Sequence, residues 1–180
     1  KSSSVNKAVN AAVDAGVNVV VAAGNNNGDA CFKSPASAEK AITIGSTTSS
    51  DGRSYFSNYG KCVDIFAPGS YILGASNQAN NRYRTISGTS MACPHVSGAL
   101  AILFNSNNCK TKEAKSDIRT LAVKDKIKNM PVNTDNLLLQ VQNMGESPPT
   151  PRPTRPTKRP TTKRPTRSPT PKPTLPCNSE

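Results

Sequence analysis

Residues 84–98 read Arg84-Thr85-Ile86-Ser87-Gly88-Thr89-Ser90-Met91-Ala92-Cys93-Pro94-His95-Val96-Ser97-Gly98. From Ser90 to Phe104 the pattern is helical, because Ala92, Val96, Ala99, Leu100 and Leu103 recur on one side. Pro94 is expected inside the first turn, where its missing N–H costs nothing. Ser90 therefore stands at a helix N-terminus, where free N–H groups and the positive end of the dipole face any anion formed nearby. Two roles suit a serine there. It is either an ordinary N-cap or a nucleophile whose tetrahedral oxyanion the helix end would hold. Gly-Thr-Ser alone does not separate them.

Upstream, Val5, Ala8, Val9, Ala12 and Val13 mark one face of another helix. Ser2 to Ser4 can cap its start, and Gly16 stands where it should stop. The run Val17-Asn18-Val19-Val20-Val21-Ala22 is short, β-branched and nearly all apolar, as a strand buried on both faces of a parallel sheet would be. The loop Ala22-Ala23-Gly24-Asn25-Asn26-Asn27-Gly28 follows it, and helix, strand, glycine-bearing loop is the grammar of an α/β fold. Ala41 to Gly45 and Val63 to Ala67 are further strand candidates, each bounded by turn residues. Downstream, Thr111 to Val123 is expected to form an amphipathic helix, and Asn136 to Leu139 is a short apolar run.

The last stretch of the chain differs in kind. Ser147 to Glu180 holds eleven of the fifteen prolines, eight basic residues and one acid, which is +7 of the formal net charge of +12. The rest carries fifteen basic and ten acidic residues, so the basic pI belongs largely to the tail and the body is not expected to bind nucleic acid. Repeats such as Pro151-Arg152-Pro153-Thr154-Arg155-Pro156-Thr157 offer nothing apolar to bury, and predict an extended, disordered segment. Residues 1–145 are expected to be the folded part, and 146–180 a Pro/Thr-rich basic linker or stalk. That stalk suits a plain spacer, a carrier of O-glycans, or a polyanion-binding arm through its Lys and Arg. No run of eighteen apolar residues is present to span a bilayer. The chain opens mid-pattern without an initiator Met, as part of a longer precursor would. The five cysteines form no CxxC pair, which argues against zinc.

The longer string around Ser90 separates its two roles. Ser87-Gly88-Thr89-Ser90-Met91-Ala92-x-Pro94-His95-Val96 closely resembles the nucleophile motif of subtilisin-like serine proteases, the peptidase S8 family. Ala22-Ala23-Gly24-Asn25, Ser34-Pro35-Ala36, Phe56-Ser57-Asn58-Tyr59-Gly60 and Asp64-Ile65-Phe66-Ala67-Pro68-Gly69 continue the resemblance in order, and the wording is nearest the proteinase K branch. It runs from about Ser2 to Leu139. It implies the C-terminal part of a catalytic domain with a three-layer α/β/α sandwich and a mostly parallel sheet. Ser90 matches the nucleophile, and Asn25 the amide that holds the oxyanion together with the Ser90 N–H. An amide suits that task because it donates a proton without titrating; a plain turn residue in an Asn-rich loop is the other reading of Asn25. Ala22, Ala23 and Gly24 match one wall of the substrate pocket, with core packing as the competing explanation.

Further implications come from the resemblance alone. Cys31 and Cys62 match cysteines bridged in some members of the branch, which suits an oxidising, extracellular setting. By its place in the chain, two residues beyond Met91, Cys93 is expected to be a small buried thiol near the site, and Cys109 either free or its partner if the helix end folds back. Asp64, with carbonyls near Glu39 and Ala41, matches a structural calcium site; a solvated carboxylate at a strand edge is equally compatible. No cofactor is implied for catalysis. Pro35 matches a cis-proline.

Serine proteolysis also needs a base and an orienting carboxylate. The only histidine is His95, five residues beyond Ser90 and about 140° around the helix, where the family motif carries a structural histidine. Family chain order is Asp, His, Ser, so both partners are expected upstream of Lys1, and Asp14, Asp29, Asp51 and Asp64 are not substitutes. The expectation is a secreted serine endopeptidase that acts on proteins or peptides, with residues 1–180 inactive without the upstream half of the same domain. The rival readings are a non-catalytic pseudoprotease scaffold and a cell-surface adhesin.

Overall fold

The computed structural model describes residues 1–106 and 113–142. Cys109, Cys177, the start of the expected helix at Thr111 and the basic tail lie outside the described residues.

Helix α1 is Ser3–Asp14, and the Ser2 side chain caps it by accepting from the Val5 N–H. It stops at Gly16, whose φ of +89° is costly for any residue with a Cβ. The Gly16 and Val17 N–H groups donate back to Val13 and Ala12, which satisfies the last carbonyls of the helix.

Five strands form the main sheet: β1 (Val20–Ala22), β2 (Ile42–Thr47), β3 (Ile65–Pro68), β6 (Val123–Lys124) and β7 (Leu137–Leu138). Their order is β1-β2-β3-β7-β6; all neighbouring pairs are parallel except β6 with β7. Alternating side chains divide between the two faces. On one face Ile42, Ile44, Ile65 and Ala67 pack against helix α2 (Thr89–Ser106) through Ala92, Val96, Ala99, Leu100 and Leu103, and against helix α3 (Ala114–Thr120) through Ala114 and Ile118. On the other face Val19 and Val21 meet Val9 of α1 together with Ala38 and Ala41. Helices thus lie on both faces of a mostly parallel sheet, which makes three layers.

Several boundaries differ from expectation, each for a physical reason. The run Val17–Ala22 pairs only from Val20 onward; Val17 is 56 % exposed, and in β1 only Val21 is buried. Among the described residues β1 is an edge strand, so its apolar run is not enclosed on both faces. Pro94 is not in the first turn. The helix begins at Thr89, so Pro94 is its sixth residue and the N–H it lacks would have bonded the Ser90 carbonyl. The described helix within 111–123 is shorter than expected, Ala114–Thr120, because Val123 already belongs to a strand. A separate antiparallel hairpin, β4 (Ile72–Ala75) with β5 (Tyr83–Ile86), had no counterpart in the sequence reading.

Gly45 in β2 sits opposite Phe66 of β3. A Cβ at Gly45 would lie 2.2 Å from the Phe66 ring, and that ring is wholly buried. Gly45→Ala is therefore expected to destabilise the fold by about 3 kcal/mol through overpacking, measured as a fall in the denaturant midpoint. Phe66→Leu in the same background should recover part of the loss.

Candidate active site

The site forms where two segments meet at the carboxyl end of the parallel strands, the usual place for ligands in such sheets. One is the loop that leaves β1 at Ala22, and the other is the N-terminus of α2. The Ala23 N–H still bonds the Ile44 carbonyl (2.9 Å), so the loop departs from the sheet at Gly24, with φ +102°.

Buried Asn58 holds that loop. Its Oδ1 accepts from the Asn26 and Gly28 N–H groups (3.0 and 3.1 Å), and its Nδ2 donates to the Ala23 carbonyl (2.8 Å). Its own N–H donates to the Gly24 carbonyl (2.9 Å). A Cβ on Gly24 would meet Asn58 Nδ2 at 2.5 Å, so the close approach itself requires glycine. Ala23 is fully buried in the core, while Ala22 and Gly24 are half-buried.

Thr89, also fully buried, ties loop to helix. Its N–H (2.9 Å) and its hydroxyl (2.8 Å) both donate to Asn25 Oδ1, and its Oγ1 accepts from the Gly24 N–H (3.2 Å). Two donors on one oxygen determine which way the amide of Asn25 faces. Nδ2 then points away from them, and among the described residues it has no acceptor; nor does the Ser90 N–H. A Cβ on Gly88 would stand 3.5 Å from Asn25 Nδ2 and 3.7 Å from the Ser90 nitrogen. Both idle donors therefore border the same small space, next to the exposed Ser90 side chain.

His95 is engaged elsewhere: its Nδ1–H donates to the Met91 carbonyl of its own helix (2.8 Å). With Ile72, Gly74, Ile86, Met91 and Pro94 it lines an apolar hollow beneath the β4–β5 hairpin. Cys93, half-buried, is a free thiol, and burial pushes its pKa up, away from the reactive thiolate.

The remaining sequence-derived positions lie away from Ser90. Cys31 and Cys62 are joined by a disulfide with Cα atoms 5.3 Å apart, and the Ser34–Pro35 peptide bond is cis. Asp64 is buried at the start of β3. Burial pushes its carboxyl pKa up, against the downward pull of the Thr43 N–H, of Lys115 and of Arg119. Sequence reasoning had not singled out Thr89 and Asn58 as positioning groups, nor Lys115. The first two sit inside recognised motifs, whereas Lys115 carries no local signal.

An exposed serine at a helix N-terminus, with two donors near it that have no acceptor among the described residues, is an arrangement able to receive an oxyanion. The model of the subtilase family matches residues 1–150, and the chain belongs to that family. It is 48 % identical over 148 residues to a subtilisin-like protease of Coccidioides posadasii, which covers 77 % of this chain and 30 % of the relative. It is 47 % identical over 148 residues to alkaline protease 2 of Aspergillus fumigatus, again 77 % of this chain and 30 % of the relative. Among solved structures, a cold-adapted subtilisin-like serine proteinase superposes with a TM-score of 0.72 at 46 % identity, covering 77 % of this chain and 50 % of that one. The chain thus spans about 30 % of the length of these curated relatives. Among the described residues no helix is long and apolar enough to cross a membrane.

Proposed function

We propose that this chain supplies the nucleophile and the oxyanion hole of a secreted serine endopeptidase. Ser90 Oγ attacks the carbonyl carbon of a peptide bond, a C–O bond forms, and the carbonyl oxygen becomes an oxyanion. Asn25 Nδ2 and the Ser90 N–H donate to that oxygen. The serine proton passes to a base and from it to the leaving amine, the C–N bond breaks, and water then releases the acyl group from Ser90. His95 is bound to Met91 and is not assigned as the base. That role and its carboxylate fall to the part of the catalytic domain outside residues 1–180. Ala22 and Gly24 border the substrate, while Ala23 acts from the core. The Cys31–Cys62 disulfide supports an oxidising, extracellular location. The basic tail from residue 146 acts as a spacer beyond the catalytic domain, a reading that rests on its composition.

The observation that carries the reading is that Asn25 Nδ2 and the Ser90 N–H both lie beside Gly88 and both lack an acceptor among the described residues. Its test is Asn25→Ala in the full-length protein, assayed on a peptide substrate. The expected result is a fall in kcat of about 10²–10³-fold with little change in KM, a range measured on subtilisin itself. An unchanged kcat would remove Asn25 from the oxyanion hole. A full-length protein that folds but cleaves no peptide would leave the pseudoprotease scaffold as the better reading.

A further inference from the structure

Asp64 and its surroundings form a second built site, distant in role from Ser90. Asp64 is 6 % exposed. Its Oδ2 accepts from the Thr43 N–H at 2.8 Å and lies 3.0 Å from Lys115 Nζ. The same ammonium donates to the Glu39 carbonyl at 2.9 Å and the Ala41 carbonyl at 2.8 Å. A lysine ammonium has three N–H donors, and here three oxygens receive them. Arg119 stands behind, donating from Nη1 to the Asp64 carbonyl (2.9 Å) and lying 3.6 Å from Oδ1, while Nη2 pairs with Asp135 (2.7 Å).

Asp64 and the carbonyls at Glu39 and Ala41 are also the oxygens at which the family resemblance implies a calcium ion, and calcium does not fit them as they stand. It takes six to eight oxygens at about 2.3–2.6 Å. The oxygens present are one carboxylate and two carbonyls, already satisfied by an ammonium. Among the described residues there is no group of three or more His, Cys, Asp or Glu that would hold a metal. A divalent ion would also have to enter beside the Lys115 and Arg119 cations, whose charge Asp64 and Asp135 already balance.

We infer that Lys115 is a tethered cation occupying the metal position of this site, so that the joint among the loop before β2, the start of β3 and α3 is closed without calcium. The lysine reaches back 74 and 76 residues along the chain to its carbonyl partners, and so makes the cross-link that a bound ion would make. This concerns stability and stands whether or not Ser90 is catalytic.

The test compares full-length wild type, Lys115→Ala and Lys115→Met after removal of metals, following Tm as calcium is added. Both variants should melt several degrees below wild type in chelator. Calcium should then raise the Tm of Lys115→Ala more than that of wild type, because the vacated oxygens accept the ion. Lys115→Met should respond less than Lys115→Ala, since its side chain still fills the space. A calcium-induced rise as large in wild type as in Lys115→Ala would overturn the inference, as would variants that melt with wild type. If neither variant folds in chelator, refolding of Lys115→Ala with calcium decides: recovery supports the tethered cation, and no recovery refutes it.

Discussion

Ser90→Ala in the full-length protein is expected to lower kcat for peptide hydrolysis by about 10⁶-fold, the scale of a lost nucleophile in subtilisin, while leaving the fold intact. The side chain is exposed and, among the described residues, has no hydrogen-bond partner, so its hydroxyl contributes little to stability. Alanine is also a better helix former than serine. The measurement pairs single-turnover hydrolysis with a denaturant midpoint. A variant that keeps activity within about tenfold of wild type would exclude Ser90 as the acylated group, because any residual catalysis from the oxyanion hole alone is far smaller.

Asn58→Ala is expected to have the largest effect on the fold near the site, at about 3–4 kcal/mol. Truncation strands the Asn26 and Gly28 N–H groups and the Ala23 carbonyl, and an unmade bond to a buried polar group costs about 1–3 kcal/mol. Asn26 is exposed, so water can recover its bond, which keeps the sum below three full penalties. The variant should lose activity as well, because the loop it secures carries Asn25. Asn58 touches no reacting atom in this arrangement and is a positioning residue. Its loss should therefore lower kcat while leaving the identity of the labelled serine unchanged. A change in stability below about 1 kcal/mol would mean that the loop holds its shape without Asn58.

Much of this architecture is legible along the chain because the signals are local. Ser2, the apolar stripe through Val9 and the positive-φ Gly16 delimit α1 almost to the residue. The apolar run through Ile42 and Ile44 lies in the most buried strand, where local pattern and tertiary burial agree. The opposite case is Val17, β-branched and apolar but outside strand β1, since pairing depends on what lies alongside. The β4–β5 hairpin escaped notice because its faces are poorly covered. Leu73 and Tyr83 are 69 % and 70 % exposed, so no buried face imposes an apolar alternation.

The candidate site divides in the same way. Ser90 and Asn25 stand in long motifs. The orientation of the Asn25 amide, however, depends on a threonine 64 residues away, and no spacing rule reveals that contact. Lys115 is the clearest example of information absent from the local sequence. A lysine near the start of a short helix reads as solvated, and only the fold brings Glu39, Ala41 and Asp64 to its ammonium. The helix starts at Thr89, and, counting from there or from Ser90, Pro94 lies past the first turn, where its missing N–H leaves the Ser90 carbonyl without its helical donor.

The most direct measurement is the location of covalent modification by phenylmethylsulfonyl fluoride, read by mass spectrometry on the full-length protein. A serine activated beside an oxyanion hole should react at one position, Ser90. The adduct should be absent from Ser90→Ala, and its formation should be slowed in Asn25→Ala, which retains the nucleophile but loses one donor. Modification at another residue, or labelling of Ser90→Ala at the wild-type rate, would contradict the assignment of Ser90 as the nucleophile.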